Sequence, residues 1–152
     1  MSYLVDTNVL LRSVQKSHPM QSDADRAITL LLHSPEAVSV IPQNLIEFWA
    51  VATRPQIQNG LELSVDETAR QIAYFKSIFM LLPDADAIFQ EWERLVREHQ
   101  VVGKQVYDAR LVAAMSVHNL THLLTFNTTD FKRFTEITAV IPATILHDER
   151  SE

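Results

Sequence analysis

The sequence predicts a single α/β domain built around a parallel β-sheet, and three observations carry that reading. Short apolar runs rich in β-branched residues alternate with longer stretches of helical periodicity, the pattern of successive βαβ units. Prolines and capping residues fall between these segments and mark their ends. The chain has 152 residues, 47% hydrophobic and 21% charged, the size and make-up of one globular core. No repeat, low-complexity segment or linker divides it. Residues 1–146 read as the domain, and 147–152 as a short polar C-terminal tail.

The elements follow in order. Residues 3–5, Tyr-Leu-Val, form a buried strand; Asp6-Thr7-Asn8 supply N-cap chemistry, and Val9-Leu10-Leu11 open a helix. After a loop at 18–21, Ser22 with Asp25 resembles a helix cap, and Ala24, Ala27, Ile28 and Leu31 share the face of the helix that follows. Residues 37–41 are a second strand, and Pro42 opens a helix that runs to about Thr53. Ser64-Val65-Asp66-Glu67 is a capping box for a helix that fades near Lys76. Residues 78–82 read as a third strand closed by Pro83. The helix at 85–99 has an apolar stripe of Ile88, Phe89, Trp92, Leu95 and Val96 opposite a charged face. Residues 105–118 are helical, 121–125 a fourth strand, 130–134 a short helix and 137–141 a fifth strand before Pro142.

Composition narrows the chemistry. Without cysteine there are no disulfides, zinc-thiolate sites or thiol nucleophiles. Two glycines, Gly60 and Gly103, are too few for a Walker loop or a dinucleotide fingerprint. Apolar runs reach five residues, against the roughly 18 of a membrane span, and the first residues do not resemble a signal peptide. A cytoplasmic protein is expected. The net charge of −6 argues against a sequence-independent nucleic-acid binder, unless carboxylates gather around divalent cations that invert the local charge.

Four carboxylates stand where a charge is hard to place. Asp6 ends the first strand. Glu47 sits in Asn-Leu-Ile-Glu-Phe-Trp-Ala-Val-Ala, and Asp108 in Val-Tyr-Asp-Ala-Arg-Leu-Val-Ala-Ala-Met, both apolar on almost every side. A buried ionised carboxylate needs a partner. Arg110 faces another direction from Asp108 on a helix, while Lys104 lies one turn away and can reach it. Asp130 follows Asn127-Thr128-Thr129 after a strand, a position that suits capping as well as ligation. In a parallel sheet these points share the carboxyl edge, where open α/β folds bind their ligands. Two carboxylates about 4 Å apart repel by roughly 4 kcal/mol at an effective dielectric near 20, so four of them call for a cation. Mg²⁺ or Mn²⁺ suits oxygen ligands. His18, His33, His99, His118, His122 and His147 show no ligand spacing for zinc.

The four segments together, Val5-Asp6-Thr7-Asn8-Val9-Leu10, Asn44-Leu45-Ile46-Glu47-Phe48, Val106-Tyr107-Asp108-Ala109-Arg110-Leu111 and Leu124-Thr125-Phe126-Asn127-Thr128-Thr129-Asp130-Phe131, resemble the PIN-domain nucleases. Within that family they are most similar to the VapC-type toxins of toxin–antitoxin pairs. The resemblance covers essentially the whole chain. It implies a metal-dependent endoribonuclease with strand order 3-2-1-4-5, one or two Mg²⁺ or Mn²⁺ ions, a homodimer and a cognate antitoxin. It makes Asp6 and Asp108 the principal metal ligands and Glu47 and Asp130 the completing acids. Thr7, Asn8, Thr125 and Asn127 become polar groups around the site. Tyr107 departs from the histidine that many relatives carry before the third acid.

The expected reaction is hydrolysis of an RNA phosphodiester by metal-activated water, since no protein nucleophile stands at the site. Arg12, Lys104 and Arg110 are candidate phosphate contacts, or ordinary surface and salt-bridge groups. Two alternatives are a non-catalytic RNA- or protein-binding module on the same fold and an aspartate-dependent phosphatase. Against the phosphatase, its usual second aspartate is replaced by Asn8; a phospho-acceptor receiver domain would need a late lysine that is missing.

Overall fold

The computed structural model describes residues 1–150. Five strands, β1 (Ser2–Val5), β2 (Ala37–Val40), β3 (Met80–Leu81), β4 (His122–Leu124) and β5 (Thr138–Val140), form one sheet in the order β3-β2-β1-β4-β5. Every pairing is parallel. Tyr3 lies opposite Val38 and His122, and Leu4 opposite Ser39 and Leu123. The first strand is therefore central, and the carboxyl ends of its neighbours flank Asp6.

Alternation along β1 divides the interior into two layers. Tyr3 and Val5 face a core made with α1 (Thr7–Val14), α2 (Gln21–Leu32), α3 (Pro42–Thr53) and α4 (Val65–Ile78). Leu4 faces the opposite core, made with α5 (Asp86–Glu98) and α6 (Gln105–Val117). Phe48 and Phe75 meet edge to face at 5.0 Å and lock α3 to α4. Leu111 to Met115 are all buried, which fixes the rotation of α6 and hence where Asp108 emerges.

The Ser64 capping box forms as read: Glu67 N–H donates to Ser64 Oγ at 3.0 Å, and Glu67 Oε1 accepts from Ser64 N–H at 3.2 Å. Elsewhere the boundaries move. Helix α2 begins at Gln21 with Met20 as its cap, so Ser22 lies inside its first turn and Asp25 beyond it, and neither caps the helix. A turn at His18, whose carbonyl accepts from Gln21 N–H at 3.0 Å, starts the helix early. Helix α4 continues to Ile78, and only Met80 and Leu81 pair as strand β3. This is a short edge strand with both side chains exposed.

A further helix, α7 (Pro142–Arg150), follows β5 and packs on α2. The polar tail expected at 147–152 thus starts as helix, while 151 and 152 lie outside the described residues. Pro142 opens this helix just as Pro42 opens α3, and buried Leu146 anchors it. The aromatic stripe of α5 is also only partly inward. Ile88 and Leu95 are buried, but Phe89 is 64% exposed.

Candidate active site

Strand β1 ends at Val5, and Asp6 turns the chain into α1 as its N-cap. Asp6 is 7% exposed, and its carboxylate is held on both oxygens. Oδ1 accepts from Thr7 N–H at 2.7 Å; Oδ2 accepts from Thr125 Oγ1 at 2.8 Å and from Asn8 Nδ2 at 3.4 Å. Thr125 follows β4 directly, so its hydroxyl links the ends of two adjacent strands. Asn8 completes the loop: Nδ2 donates to Thr125 Oγ1 at 3.2 Å, and Oδ1 accepts from Phe126 N–H at 3.2 Å. Burial pushes the Asp6 carboxyl up to about 6, against hydrogen bonds from Thr125 and Thr7 that favour the charged form; Glu47 and Asp108 add like-charge repulsion.

Glu47 projects from the second turn of α3 at the end of β2. Its helix is less enclosed than its sequence suggests. Ile46 is 67% exposed and Glu47 is half-buried. Both carboxylate oxygens are nevertheless engaged: Oε2 by Thr7 Oγ1 at 3.1 Å and Oε1 by Gln43 Nε2 at 2.8 Å. Asn44, fully buried, accepts from Ile41 N–H at 3.0 Å and fixes the entry to the helix.

Asp108 stands in the first turn of α6, half-buried. Burial raises its carboxyl to about 6, with Asp130 and Glu47 adding to the rise and Arg133 opposing it. Asp130 lies in the 3-10 turn Thr128–Phe131 beyond β4 and is exposed. Asn127 N–H donates to Thr125 Oγ1 at 3.0 Å, which ties that turn back to Asp6. The electrostatic coupling of Asp6 with Glu47 and Asp108, and of Asp108 with Asp130, places all four acids around one region.

Ion pairing does not account for them. Among the described residues, no basic nitrogen lies within 4.0 Å of any of the four carboxylates. Lys104, which the sequence allows to reach Asp108, is exposed and forms no such pair. Arg110 instead turns to Gln43 Oε1 at 2.9 Å and to Asp84 Oδ1 at 3.3 Å. Arg12 lies in the last turn of α1 and bonds to Gln15. The cation nearest Asp108 in effect is Arg133, whose guanidinium bonds to Gln105 Oε1 at 2.6 Å.

The four acids offer only oxygen donors, a hard ligand set that fits Mg²⁺ or Mn²⁺ and disfavours zinc. Among the described residues, no three of them bring ligand atoms within 4.8 Å of one another. The trio that does is Glu98, His99 and Glu136. Arg94 pairs with both of those glutamates, and His99 Nε2 lies 3.0 Å from Glu136 Oε1, so this cluster is an ion-pair network. Sequence reading missed Gln43 and Arg133. The spacing of Gln43 and Glu47, one helical turn apart, is the signal that identifies the first. Nothing local marks Arg133.

An all-parallel 3-2-1-4-5 sheet with acids collected beyond its carboxyl edge defines an α/β domain with an oxygen-only acidic centre. The PIN domain sequence model matches residues 3–137, and the chain belongs to the PIN-domain family. No curated protein sequence matches it. Solved structures with the same fold include VapBC2 from Rickettsia felis bound to a promoter DNA fragment, with TM-score 0.70, 16% identity and coverage of 93% of this chain and 98% of that one. VapBC-1 from nontypeable Haemophilus influenzae gives TM-score 0.70 and 17% identity, covering 94% and 99%. VapC20 of Mycobacterium tuberculosis, described as a sarcin-ricin loop cleaving toxin, gives 0.65 and 20%, covering 90% and 98%. At these identities the likeness is one of fold.

Proposed function

We propose that this chain is a Mg²⁺- or Mn²⁺-dependent endoribonuclease and the toxin of a toxin–antitoxin pair. The observation that carries the nuclease reading is the convergence of Asp6, Glu47, Asp108 and Asp130 from four separate elements, with no basic side chain to neutralise them. The sarcin-ricin loop cleavage ascribed to VapC20 supports RNA as the substrate class. The VapBC complexes support an antitoxin partner.

Asp6 and Asp108 are the principal ligands in this reading, and Glu47 and Asp130 complete the set. These residues would hold one or two ions, whose chemistry would be to make a coordinated water acidic near neutral pH and to offset negative charge on the phosphate. The protein's part is positional. Thr125, Asn8 and Thr7 leave Asp6 one orientation, and Thr7 with Gln43 does the same for Glu47. Asn127 holds the turn that carries Asp130 against Thr125. Lys104, exposed at the start of α6, is the available phosphate contact, since Arg110 is engaged inward and Arg12 bonds to Gln15.

An apolar surface of Leu45, Ile46, Trp49, Ala50 and Ile72 borders Glu47 and is the face assigned to a homodimer. Among the described residues, no helix is long and apolar enough to cross a membrane.

The decisive assay is cleavage of a structured RNA with and without Mn²⁺ by the wild type, Asp6→Ala and Asp108→Asn. Both variants should lose metal-dependent cleavage while keeping their circular dichroism. Cleavage at the wild-type rate by both would sink the assignment. Folded wild type that never cleaves RNA but binds it would favour a binding module.

A further inference from the structure

Gln43 is 9% exposed, and both N–H directions of its amide and one lone pair of its oxygen have named partners. Nε2 donates to Glu47 Oε1 at 2.8 Å and to the Tyr107 carbonyl at 3.1 Å; Oε1 accepts from Arg110 at 2.9 Å. We infer that Gln43 is the positioning residue for Glu47, set in its orientation by Arg110, and that this bridge governs how tightly the acidic centre holds a divalent cation. The inference rests on reading that centre as a metal site.

The chemistry allows one arrangement. A guanidinium only donates, while a carboxylate and a peptide carbonyl only accept. A flipped amide would set NH₂ against the Arg110 guanidinium and its oxygen against two other oxygens, losing all three bonds. Arg110 therefore decides which end of Gln43 meets Glu47. Arg110 is itself anchored by Asp84 at 3.3 Å, beyond the end of β3. The line Asp84–Arg110–Gln43–Glu47–Thr7 runs across the segments that follow β3, β2 and β1 and passes through α6. No shorter side chain can replace its middle member, because an asparagine at 43 lacks the methylene that spans one helical turn to Glu47.

Glu47 then has both oxygens oriented before any ion arrives, Oε1 by Gln43 and Oε2 by Thr7. Groups that orient a ligand carboxylate from outside the coordination sphere typically change metal affinity by about 10- to 100-fold when removed. Gln43 also ties α3 to α6 through the Tyr107 carbonyl, so a purely structural role is the competing account, and the test must separate the two.

The measurement is Mn²⁺ affinity by titration calorimetry on folded protein, alongside urea unfolding without metal. Gln43→Leu keeps the volume and removes all three bonds. It should weaken Mn²⁺ binding about tenfold, and adding it to Glu47→Gln should leave the already weakened Kd within about twofold. Arg110→Leu should weaken binding less than Gln43→Leu and add nothing to it in the double variant. An unchanged Kd in Gln43→Leu overturns the inference, as does an equal further loss in the Glu47→Gln background. If Glu47→Gln abolishes binding, the Gln43/Arg110 pair decides: additive losses refute the relay. An Asp6→Ala control separates the two levels. Loss of binding there with an unaffected Gln43→Leu refutes only the role of Gln43. No Mn²⁺ binding by the wild type, or wild-type binding by Asp6→Ala, refutes the metal centre and the inference with it.

Discussion

Replacing Asp6 by asparagine should stabilise the metal-free protein at neutral pH, although it removes the residue on which the proposed reaction depends. The folded state raises the Asp6 carboxyl from 3.8 to about 6, mainly through burial. A carboxyl raised on folding binds more protons in the native state than in the unfolded one between those two values. Stability from this group is therefore full below pH 3.8, falls as pH rises, and reaches its lowest level above about 6. About two units correspond to roughly 3 kcal/mol of penalty at pH 7.5. Asparagine carries no charge, but its amide nitrogen opposes Asn8 Nδ2 and the Thr125 hydroxyl, which now donate to Oδ2 at 3.4 and 2.8 Å, and this returns about 2 kcal/mol. The net gain is about 1 kcal/mol, or roughly 2–4 °C in Tm for a chain of this size. Urea unfolding in EDTA at pH 4.5, 5.5, 6.5 and 7.5 measures the difference between variant and wild type, so groups common to both cancel. The gap should widen to about pH 6.5 and then stay flat. Added Mn²⁺ at about 100 times its Kd should raise wild-type stability by about 2.7 kcal/mol and leave the variant unmoved. A variant less stable than the wild type at pH 7.5, or a gap that narrows with rising pH, refutes the argument.

The remaining predictions concern surfaces and packing. Ile46→Glu puts a charge on the apolar face of α3; on the proposed homodimer, sedimentation equilibrium should give a dimer mass for the wild type and a monomer mass for the variant, and equal masses for the two refute this face as the interface. Phe48→Ala empties a fully buried site against Phe75 and should cost about 3–5 kcal/mol by urea unfolding. Ser64→Ala removes the acceptor for Glu67 N–H and should cost about 1 kcal/mol, with little effect on RNA cleavage.

Most of the fold was legible because its signals are local. Short apolar strands bounded by prolines and caps identify β1, β2 and β4 without reference to partners, while the strand order came with the family resemblance. The misses have physical causes. The run at 78–82 reads as one strand because all five residues are apolar, yet Ile78 and Phe79 serve α4 and its packing and only Met80 and Leu81 pair in the sheet. Helix α7 is not legible because a proline straight after a strand marks the strand's end as readily as a helix start. The acids stood out because charge within apolar helices is conspicuous. Gln43 is an ordinary polar residue until Glu47, Tyr107 and Arg110 are brought around it, and Arg133 gains meaning only when its turn folds beside α6.

The position of β1 in the middle of the sheet has a consequence for the growing chain. Asp6 N–H donates to the Leu124 carbonyl, and Asp6 Oδ2 accepts from Thr125, 119 residues further on. At synthesis rates of about 5–20 residues per second, roughly 6–24 s separate the two halves of that contact. Until β4 and the Asp130 turn have left the ribosome, the first acid lacks the hydroxyl that orients it and the fourth acid is absent. Partial chains therefore hold the carboxylates without the centre. Whatever the centre does begins only once the turn that carries Asp130 has been made and folded beside β1, and until then a partner meets an inert chain.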